Sequence, residues 1–339
     1  MQLDDKAFEV QITPDNGYII VGYQTDSTTS SDIFLVKLND SGDTVWSRNY
    51  GGSSGEKGYS VCNTTDGGYG ICGYSQSFGA GGISNYFLRV DQNGDTMFTK
   101  TYDGSFSEIP YKILQTLDGG FLLGGSTNSY GAGGNDMYLI KIDSLGFILW
   151  SRTYGGINNE NLYDAKEISD SGFILVGGTT SFGPGTEGVY LIRTNSNGDT
   201  LWTRSYGGSA QDYAESVAQT QDSGFIVTGR TYSFGAGSSD VLLFKTNASG
   251  NLLWTKTYGT TALDYGADID QIPDGGYVIT GSSFAGFNSD LYLIRTDSAG
   301  DTLWTKVYGT PAADEGYSVR YVPNDGGFIA VGNTLGMGA

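Results

Sequence analysis

Residues 290–309, DLYLIRTDSAGDTLWTKVYG, decide the fold. The opening run 291–294 is apolar at every position, a turn follows at 298–300, and Trp304 stands four residues after Gly300. An antiparallel strand with one face in solvent should alternate between apolar and polar residues, so the continuous apolar run predicts a strand covered on both faces. Sheets stacked face to face would supply that cover.

The large aromatic of this stretch recurs along the chain. It follows a glycine turn six times, at intervals of 52, 52, 52, 52 and 50 residues. The six residues are Trp46, Phe98, Trp150, Trp202, Trp254 and Trp304. Such a period is typical of repeat architectures, in which each unit buries its apolar faces by stacking on its neighbours.

Each unit also contains an earlier hairpin, clearest at residues 214–231, AESVAQTQDSGFIVTGRT. In its turn, we expect an aspartate to cap the backbone through its carboxylate and a glycine to take a positive φ that a side chain would resist. The turn occurs seven times, starting at Asp15, Asp66, Asp118, Asp170, Asp222, Asp274 and Asp325. We call this the first hairpin of a unit, and the hairpin of the 290–309 type the second hairpin.

Two hairpins make a four-stranded antiparallel sheet, and such sheets arranged radially form a β-propeller. A helical solenoid is excluded because no 3.6-residue period is present, and a parallel β-helix would lack two antiparallel hairpins in each unit. The chain has seven first hairpins but six second hairpins. We therefore expect an all-β protein with one seven-bladed propeller domain over residues 1–339, whose last blade is incomplete, and a longer multidomain surface protein as its context. The expected units are approximately 1–52, 53–104, 105–156, 157–208, 209–260, 261–310 and a partial 311–339.

Charge and composition exclude several function classes. With 18 basic and 37 acidic side chains the net charge is −19, which disfavours binding to nucleic acid and to anionic membranes. Twelve basic residues recur at two fixed places per unit, which favours a role in balancing acidic neighbours over a basic binding patch. The chain has no histidine, which excludes serine–histidine–aspartate triads and histidine zinc sites. No segment approaches the ~20 apolar residues of a membrane helix, so we expect no membrane insertion.

The two cysteines, Cys62 and Cys72, flank one first-hairpin turn. If that turn centres on Gly67, they lie opposite each other and a cross-strand disulfide is one outcome. The other outcome is a pair of small buried thiols, since the next unit has Leu114 and Gly124 at these places.

Acid or base chemistry in this chain would fall to carboxylates. Each unit begins with one, at Asp5, Glu56, Glu108, Glu160, Asp212, Asp264 and Asp314. A facing pair could serve a glycosidase or lyase, yet their recurrence favours a loop-capping task. No cofactor is predicted. The turn with Asp91, Asn93 and Asp95 keeps calcium open as an alternative, although its spacing is too short for an EF-hand and favours ordinary turn chemistry.

Two further sets of residues are candidate binding positions. The first set lies three residues before the turn aspartate and would line the central channel if its strand is innermost: Asn63, Gln115, Glu167, Gln219 and Gln271. The second set lies in the loops between the hairpins: Phe78, Tyr130, Phe182, Phe234, Phe284 and Phe287. Aromatic platforms suit sugars and extended peptides, but these rings could equally plug each loop onto its blade.

The stretch TDSAGDTLW, which ends at Trp304, resembles the tryptophan docking motif of quinoprotein-type propellers. The resemblance implies that the six recurring aromatics pack against the next blade, more weakly at Phe98, and it maps no quinone-binding residues. The SGFIVTG strand, SFGAGG loop, LIRTD strand and LWSRTYGG end resemble the bacterial seven-bladed β-propeller repeat family of secreted and surface proteins, over essentially the whole chain.

The uniform units favour a non-enzymatic binding, adhesion or scaffold module that is secreted or displayed at the cell surface, with a glycan or protein ligand. A carbohydrate-active enzyme that uses loop carboxylates is the alternative. A structural spacer in a longer surface protein is a third interpretation.

Overall fold

The computed structural model describes residues 5–25, 30–79, 82–284, 286 and 288–336. Within these ranges the chain is all-β, as predicted, with 26 strands in six four-stranded antiparallel sheets and one two-stranded sheet. We call each four-stranded sheet a blade. The chain divides into two compact units, Met1–Ile157 and Asn158–Ala339. The single-domain expectation stays a prediction.

The first unit contains three blades in which strands consecutive in sequence are neighbours. The first blade has β1 (Lys6–Ile12), β2 (Tyr18–Thr25), β3 (Ser31–Leu38) and β4 (Thr44–Tyr50); the second has β5 (Glu56–Asn63), β6 (Tyr69–Ser75), β7 (Ser84–Val90) and β8 (Thr96–Tyr102); the third has β9 (Glu108–Gln115), β10 (Phe121–Thr127), β11 (Asp136–Ile142) and β12 (Ile148–Tyr154).

The second unit contains three blades of the same order and the two-stranded sheet. The fourth blade has β13 (Glu160–Glu167), β14 (Phe173–Thr179), β15 (Gly188–Thr194) and β16 (Thr200–Tyr206); the fifth has β17 (Asp212–Gln219), β18 (Phe225–Thr231), β19 (Asp240–Thr246) and β20 (Leu252–Tyr258); the sixth has β21 (Asp264–Gln271), β22 (Tyr277–Ser283), β23 (Asp290–Thr296) and β24 (Thr302–Tyr308); the last sheet has β25 (Asp314–Val322) and β26 (Gly327–Thr334).

Burial follows the order of the strands in a blade. The third strands β7 and β15 are buried at all seven positions, whereas most residues of the fourth strands β4 and β16 are exposed or half-buried. Both faces of β7 and β15 are therefore covered. In β23, the strand on which the prediction was made, Leu293 and Ile294 are buried but Leu291 and Tyr292 are half-buried, so the prediction holds there in part. The core lies between blades: Leu191 of the fourth blade packs in one cluster with Val217 and Phe225 of the fifth.

The first hairpins close with a repeated turn. In the second blade the Asp66 carboxylate accepts hydrogen bonds from Thr64 Oγ1 at 2.6 Å and from Gly68 N at 3.4 Å, while Gly67 takes a φ of +87° that a side chain would resist. All seven turn aspartates accept a hydrogen bond from the second following backbone N–H. The predicted aspartate cap is confirmed. The prediction that glycine takes the positive φ is wrong in three turns, where Asn16, Ser171 and Ser223 take it instead.

Six of these aspartates also pair with the basic residue of the third strand in their own blade. The pairs are Asp15–Lys37, Asp66–Arg89, Asp118–Lys141, Asp170–Arg193, Asp222–Lys245 and Asp274–Arg295. The basic side chains are largely buried, and the aspartates are more than half exposed. These six basic residues balance acidic neighbours, as predicted, and are not available to a binding patch.

The recurring aromatics of the fourth strands contact the second-hairpin turn of the next blade. Trp46 Nε1 donates to Gln92 O at 3.2 Å, and a Cβ on Gly94 would lie 3.0 Å from the Trp46 ring. The same contact joins Phe98 to Gly146, Trp202 to Gly250 and Trp254 to Gly300. Trp150 and Trp304 occupy the equivalent places and are half-buried. Phe98 keeps the packing but has no N–H to donate; the relationship to the quinoprotein motif stays a prediction.

The cysteines do not face each other. Cys62 lies opposite Gly70 and Cys72 lies opposite Ser60, and both are free thiols. The expected register was wrong by two residues because the turn centres one residue before Gly67. Burial raises the pKa of both thiols, so they are the small packed groups of the second outcome.

Candidate functional site

The carboxylates at the start of each sequence repeat cap the neighbouring loops. Glu56 is buried and accepts from Gly52 N at 2.7 Å and Ser77 N at 2.9 Å, the latter across the loop that follows β6. Corresponding bonds are made by Glu108, Glu160, Asp212, Asp264 and Asp314. Asp5 is exposed and accepts from Thr25 N at 3.0 Å. Each of these carboxylates accepts at least one bond from loop backbone, which supports the capping interpretation over catalysis, although Asp264 Oδ1 is buried without a partner among the described residues.

The predicted channel residues bond to the neighbouring blade. Gln115 Oε1 accepts from Thr65 N at 2.8 Å, and Asn63 Nδ2 donates to Ile12 O at 2.9 Å. Gln219 and Gln271 accept from Ser169 N and Gln221 N, each at 3.1 Å. Glu167 is half-buried. Asn63, Gln115, Gln219 and Gln271 therefore tie their first strands to the preceding blade, and a channel lined by these residues stays a prediction.

The candidate calcium turn is held by its own aspartate. Asp91 Oδ1 accepts from Asn93 N at 2.8 Å and Asp95 N at 2.9 Å, which is ordinary turn chemistry. Within the described ranges, no three acidic or cysteine side chains gather in a way that could hold a metal ion.

The loop aromatics are anchored to their blades and still partly exposed. Phe78 stacks on Tyr86 with ring centroids 5.6 Å apart and an interplanar angle of 16°. Tyr130 and Phe182 also pack on Tyr138 and Tyr190, with centroids 5.6 and 5.3 Å apart, but these rings are tilted by 32° and 33°. The exposed fractions of Phe78, Tyr130, Phe182, Phe234 and Phe284 run from 37% to 47%. Phe287 lies outside the described residues. The rings therefore pack their loops onto the blades and also remain partly exposed to solvent.

The fifth blade departs from this arrangement beneath Phe234. The ring that underlies the loop aromatic elsewhere is replaced by Leu242, which is almost fully buried. A cavity of about 350 Å³ is present here. It is lined by Tyr206, Gly207, Phe234, Leu242, Phe244, Leu252, Thr255, Lys256 and Thr257. The volume is in the range of small-ligand sites, and the lining is mostly apolar.

A second departure in the fifth blade lies at a β-bulge that all first strands share. The bulged residue is Phe8, Tyr59, Tyr111, Tyr163, Glu215, Ala267 or Tyr317, in chain order. Glu215 is the one acidic residue among them. A bulge leaves its residue outside the regular ladder and re-aims its side chain, and bulges are enriched next to functional sites.

Arg230 on β18 is the third departure, since the other second strands carry tyrosine, serine, glycine or asparagine at this place. Its guanidinium lies 4.8 Å from the ring centroid of Tyr213, 5.4 Å from that of Tyr232 and 6.0 Å from that of Tyr265. Arg230 Nε is buried and has no hydrogen-bond partner among the described residues. The aromatic rings attract the guanidinium but offer no hydrogen-bond acceptor to its Nε.

Two carboxyl groups share this neighbourhood electrostatically. Burial raises the pKa of Glu215 to about 7 in spite of the Arg230 charge, and the Glu187 charge adds to the rise. Burial also raises the pKa of Glu187, against a hydrogen bond from Tyr213 and the charge of Arg230. Near neutral pH Glu215 is therefore partly protonated, beside the Arg230 cation and a second acidic group, Glu187.

We name Glu187, Tyr213, Glu215, Arg230, Tyr232 and Tyr265 the Arg230 cluster. It can bind a polar or anionic group through Arg230 and Glu215, with tyrosine faces available for stacking. None of these residues was among the sequence candidates. The signal was present, because Glu215, Arg230 and Leu242 each break a repeat that can be aligned by its Asp-x-Gly turns.

The chain is similar to known proteins in part of its sequence and throughout its fold. The regulatory protein FlaEY of Caulobacter vibrioides is 27% identical across a match that covers 56% of this chain and 23% of that protein, so the matched segment spans less than a quarter of FlaEY. The structure of Sqt1 from Chaetomium thermophilum bound to the N-terminus of ribosomal protein L10 is 13% identical, with a TM-score of 0.57, and covers 97% of this chain and 82% of that one.

The α-L-arabinofuranosidase Arb93A of Fusarium graminearum, in complex with an iminosugar inhibitor, is 11% identical with a TM-score of 0.55, and covers 82% of this chain and 88% of that one. No family model matches the chain. The likeness to solved structures shows the fold, a β-propeller of four-stranded antiparallel blades. The described residues contain no helix with the length and hydropathy that a membrane crossing requires.

Proposed function

We propose that this protein is a non-enzymatic binding propeller, secreted or displayed at the cell surface, that holds its ligand at the Arg230 cluster. The observation that carries the proposal is the buried Arg230 Nε, which has no partner among the described residues, inside a tyrosine cage. Among the first and second strands, the fifth blade alone combines an acidic bulge residue with an arginine at the 230 position, which points to a local requirement there.

The chemistry of the cluster favours a ligand with a carboxylate or another hydrogen-bond acceptor next to an apolar face. Arg230 would bind the acceptor, Glu215 would donate a hydrogen bond while protonated, and the Tyr232 ring, which is 39% exposed, would stack on the apolar face. Uronate-containing glycans and short acidic peptides have this chemistry. Sqt1 is a propeller with a bound protein segment, which is the precedent for a peptide ligand.

The test compares the wild-type chain with a double variant, Glu215→Tyr with Arg230→Ser, on glycan arrays and an acidic-peptide library, with and without chelator. Both substitutions insert the residues that other blades carry at these places, so the variant should fold. We expect a ligand whose affinity falls at least about tenfold in the double variant. The matched control is Phe182→Ala in the fourth blade, which should leave binding unchanged. Equal binding by the double variant would contradict the proposal, and dependence on chelator would instead favour calcium.

A carbohydrate-active enzyme is the second candidate, because the raised pKa values of Glu215 and Glu187 suit an acid and base pair. In this case the wild type would release reducing sugar from polysaccharides, with an activity that falls above about pH 7, and Glu215→Gln would abolish it. Binding without any product in the same assays would remove the enzyme interpretation.

The seven-blade count is also part of this proposal. The Asp325 turn and the strands on either side of it match the first hairpins of the six blades, so we interpret β25–β26 as the first half of a seventh. Adhesion, scaffolding and a regulatory role, the last taken from the name of FlaEY, are compatible uses of such a binding surface.

A further inference from the structure

The space beneath Phe234 differs from the equivalent space in the second, third and fourth blades. There the loop aromatic packs on a tyrosine of the third strand. The hydroxyl of this tyrosine is hydrogen-bonded to a threonine or serine of the fourth strand, and the sixth blade has the same pair. The pairs are Tyr86–Thr99, Tyr138–Ser151, Tyr190–Thr203 and Tyr292–Thr305. In the second, third and fourth blades a phenol ring is therefore held between a loop aromatic and a fourth-strand hydroxyl.

The fifth blade has both of these partners and lacks the phenol. Leu242 occupies the tyrosine position, while Phe234 and Thr255 occupy the positions of the loop aromatic and the hydroxyl. All three residues line the cavity of about 350 Å³. Leu242 has neither a ring that could pack on Phe234 nor a hydroxyl that could bond to Thr255. A ligand that enters the cavity can supply both groups.

The walls of the cavity suit an aromatic ring. Phe244 stands where the other blades have valine, leucine or isoleucine, and its ring packs on Tyr206 with centroids 4.7 Å apart. Leu242 and Phe244 are almost fully buried, whereas Phe234 and Leu252 are about half exposed. The cavity therefore extends from the surface to the core, and a small ligand can enter it. A protein cavity of about 150 Å³ with aliphatic and aromatic walls is large enough to bind benzene.

We propose that this cavity is a binding site for a small phenol. The ring of the ligand packs on Phe234 and on the buried walls formed by Leu242 and Phe244. Its hydroxyl bonds to Thr255, as the tyrosine hydroxyls of other blades bond to their fourth-strand partners. The ligand thus replaces the phenol that the third strand of the fifth blade does not carry.

The cavity is separate from the Arg230 cluster. Leu242 belongs to the core cluster that the fifth blade shares with the fourth. Arg230 pairs with Val241, the residue before Leu242, and its guanidinium lies near Tyr265 of the sixth blade. Because successive side chains of a strand point to opposite faces, the two sites lie on opposite faces of the fifth blade. The inference therefore does not depend on the proposed function.

The probe is phenol itself, and its binding to the full chain is measured by titration with saturation-transfer NMR. We expect one saturable site per chain with a dissociation constant below about 1 mM. Thr255→Val should weaken phenol binding roughly two- to tenfold, because the hydrogen bond is lost while the shape of the side chain is kept. The same variant should leave the binding of toluene, which has no hydroxyl, nearly unchanged.

A second variant fills the cavity with residues that the protein already uses. Leu242→Tyr combined with Phe244→Ile gives the fifth blade the residue pair of the fourth, Tyr190 and Ile192, so the variant should fold. It should weaken the binding of both phenol and toluene at least about tenfold, because the chain now supplies the ring. The matched control is Thr203→Val, which removes the equivalent hydroxyl of the fourth blade and should leave phenol binding unchanged.

The inference is overturned if the wild type shows no saturable phenol binding, or if the cavity-filled variant binds phenol as tightly as the wild type. Equal phenol binding by Thr255→Val also overturns it. N-acetyltyrosinamide carries the same ring on peptide groups and should bind no more tightly than phenol, because the mostly apolar walls offer few partners to its amides. Tighter binding would assign the site to a tyrosine of a peptide and overturn the small-molecule assignment. The ligand of the Arg230 cluster should still bind the cavity-filled variant, so the two proposals fail separately.

Discussion

The bulge residues of the first strands are all aromatic in the first compact unit. In the second compact unit, two of the bulge residues are not aromatic. In the first unit the rings of Phe8, Tyr59 and Tyr111 follow one another with centroids 5.2 and 5.5 Å apart. In the second unit Glu215 and Ala267 occupy the same bulge. The backbone irregularity is the same in both units, so the ring is not what produces it.

The residue after the bulge explains why the bulge residue can vary. In the first unit Glu9 accepts from Val61 N of the next first strand at 3.1 Å, and in the second unit Asp164 accepts from Val217 N at 3.1 Å. These buried carboxylates join consecutive first strands. Because the connection between blades is carried by the neighbouring position, the bulge can hold a packed ring in one unit and an ionisable group in the other.

The largest loss of stability is expected when a carboxylate that joins consecutive first strands is removed. Asp268 accepts from Ser216 Oγ at 2.9 Å, Ser318 Oγ at 2.9 Å and Val319 N at 3.1 Å, and it also pairs with Arg320. Asp268→Ala leaves a buried guanidinium and a backbone N–H without their acceptor, so we expect a loss of about 3–5 kcal/mol in the free energy of unfolding. Urea denaturation measures it.

Glu9→Ala in the first unit is the parallel variant and should cost a similar amount, because Glu9 pairs with Lys112 and also accepts from Ser60 Oγ at 2.5 Å. A loss below about 1 kcal/mol in both variants would mean that the carboxylates do not carry the connection.

A smaller loss is expected when the bulge of the first unit is given the residue of the second. Tyr59 contacts Phe8, Tyr74 and Tyr111. Tyr59→Glu removes these contacts and introduces a half-buried carboxylate with no arginine equivalent to Arg230, so we expect a loss of about 2–4 kcal/mol in the free energy of unfolding. Tyr59→Phe, which keeps the ring, is the control. If the glutamate variant is as stable as the control, the two bulges are equivalent and the comparison fails.

The repeat made the fold predictable from the sequence, but it did not point to the candidate site. The Asp-x-Gly turns, the apolar third strands and the recurring Trp46-type aromatic each occur several times, so their structural task could be inferred from spacing. Glu215 and Arg230 occur once each, and their proximity depends on strand pairing, the bulge at Glu215 and the approach of Tyr265 from the next blade. Recurrence along a repeat identifies residues with a structural task, and residues that occur once cannot be identified in this way.

The cysteine register shows the other limit of sequence reasoning. Moving the centre of a turn by one residue displaces every cross-strand partner by two, and the spacing of Cys62 and Cys72 did not say where the turn centres. Pairing of the turn aspartates with Lys37-type residues was missed for a related reason, since the two recurrences are 21 to 23 residues apart and meet only through the second and third strands.

The smallest predicted effect is a pH dependence of stability that the Glu215 bulge has and the aromatic bulges lack. The pKa of Glu215 is raised from its usual value of 4.5 to about 7 in the folded protein, so folding favours the protonated form. Below about pH 4.5 the carboxyl group of Glu215 is protonated in both states and does not lower the free energy of unfolding. As the pH rises from 4.5 to 7 it lowers this free energy progressively, and above pH 7 there is no further change. Because the side chain is only half-buried, we expect about 1–2 kcal/mol between pH 5 and pH 8.

The measurement is urea denaturation of the wild type and Glu215→Gln across this range, where the turn aspartates with lowered pKa, such as Asp222 at about 2, stay ionised and do not contribute. The glutamine variant should lose less stability than the wild type as pH rises. Parallel pH profiles for the two proteins would mean that Glu215 is an ordinary solvated carboxylate. The second unit would then differ from the first by the absence of a ring alone.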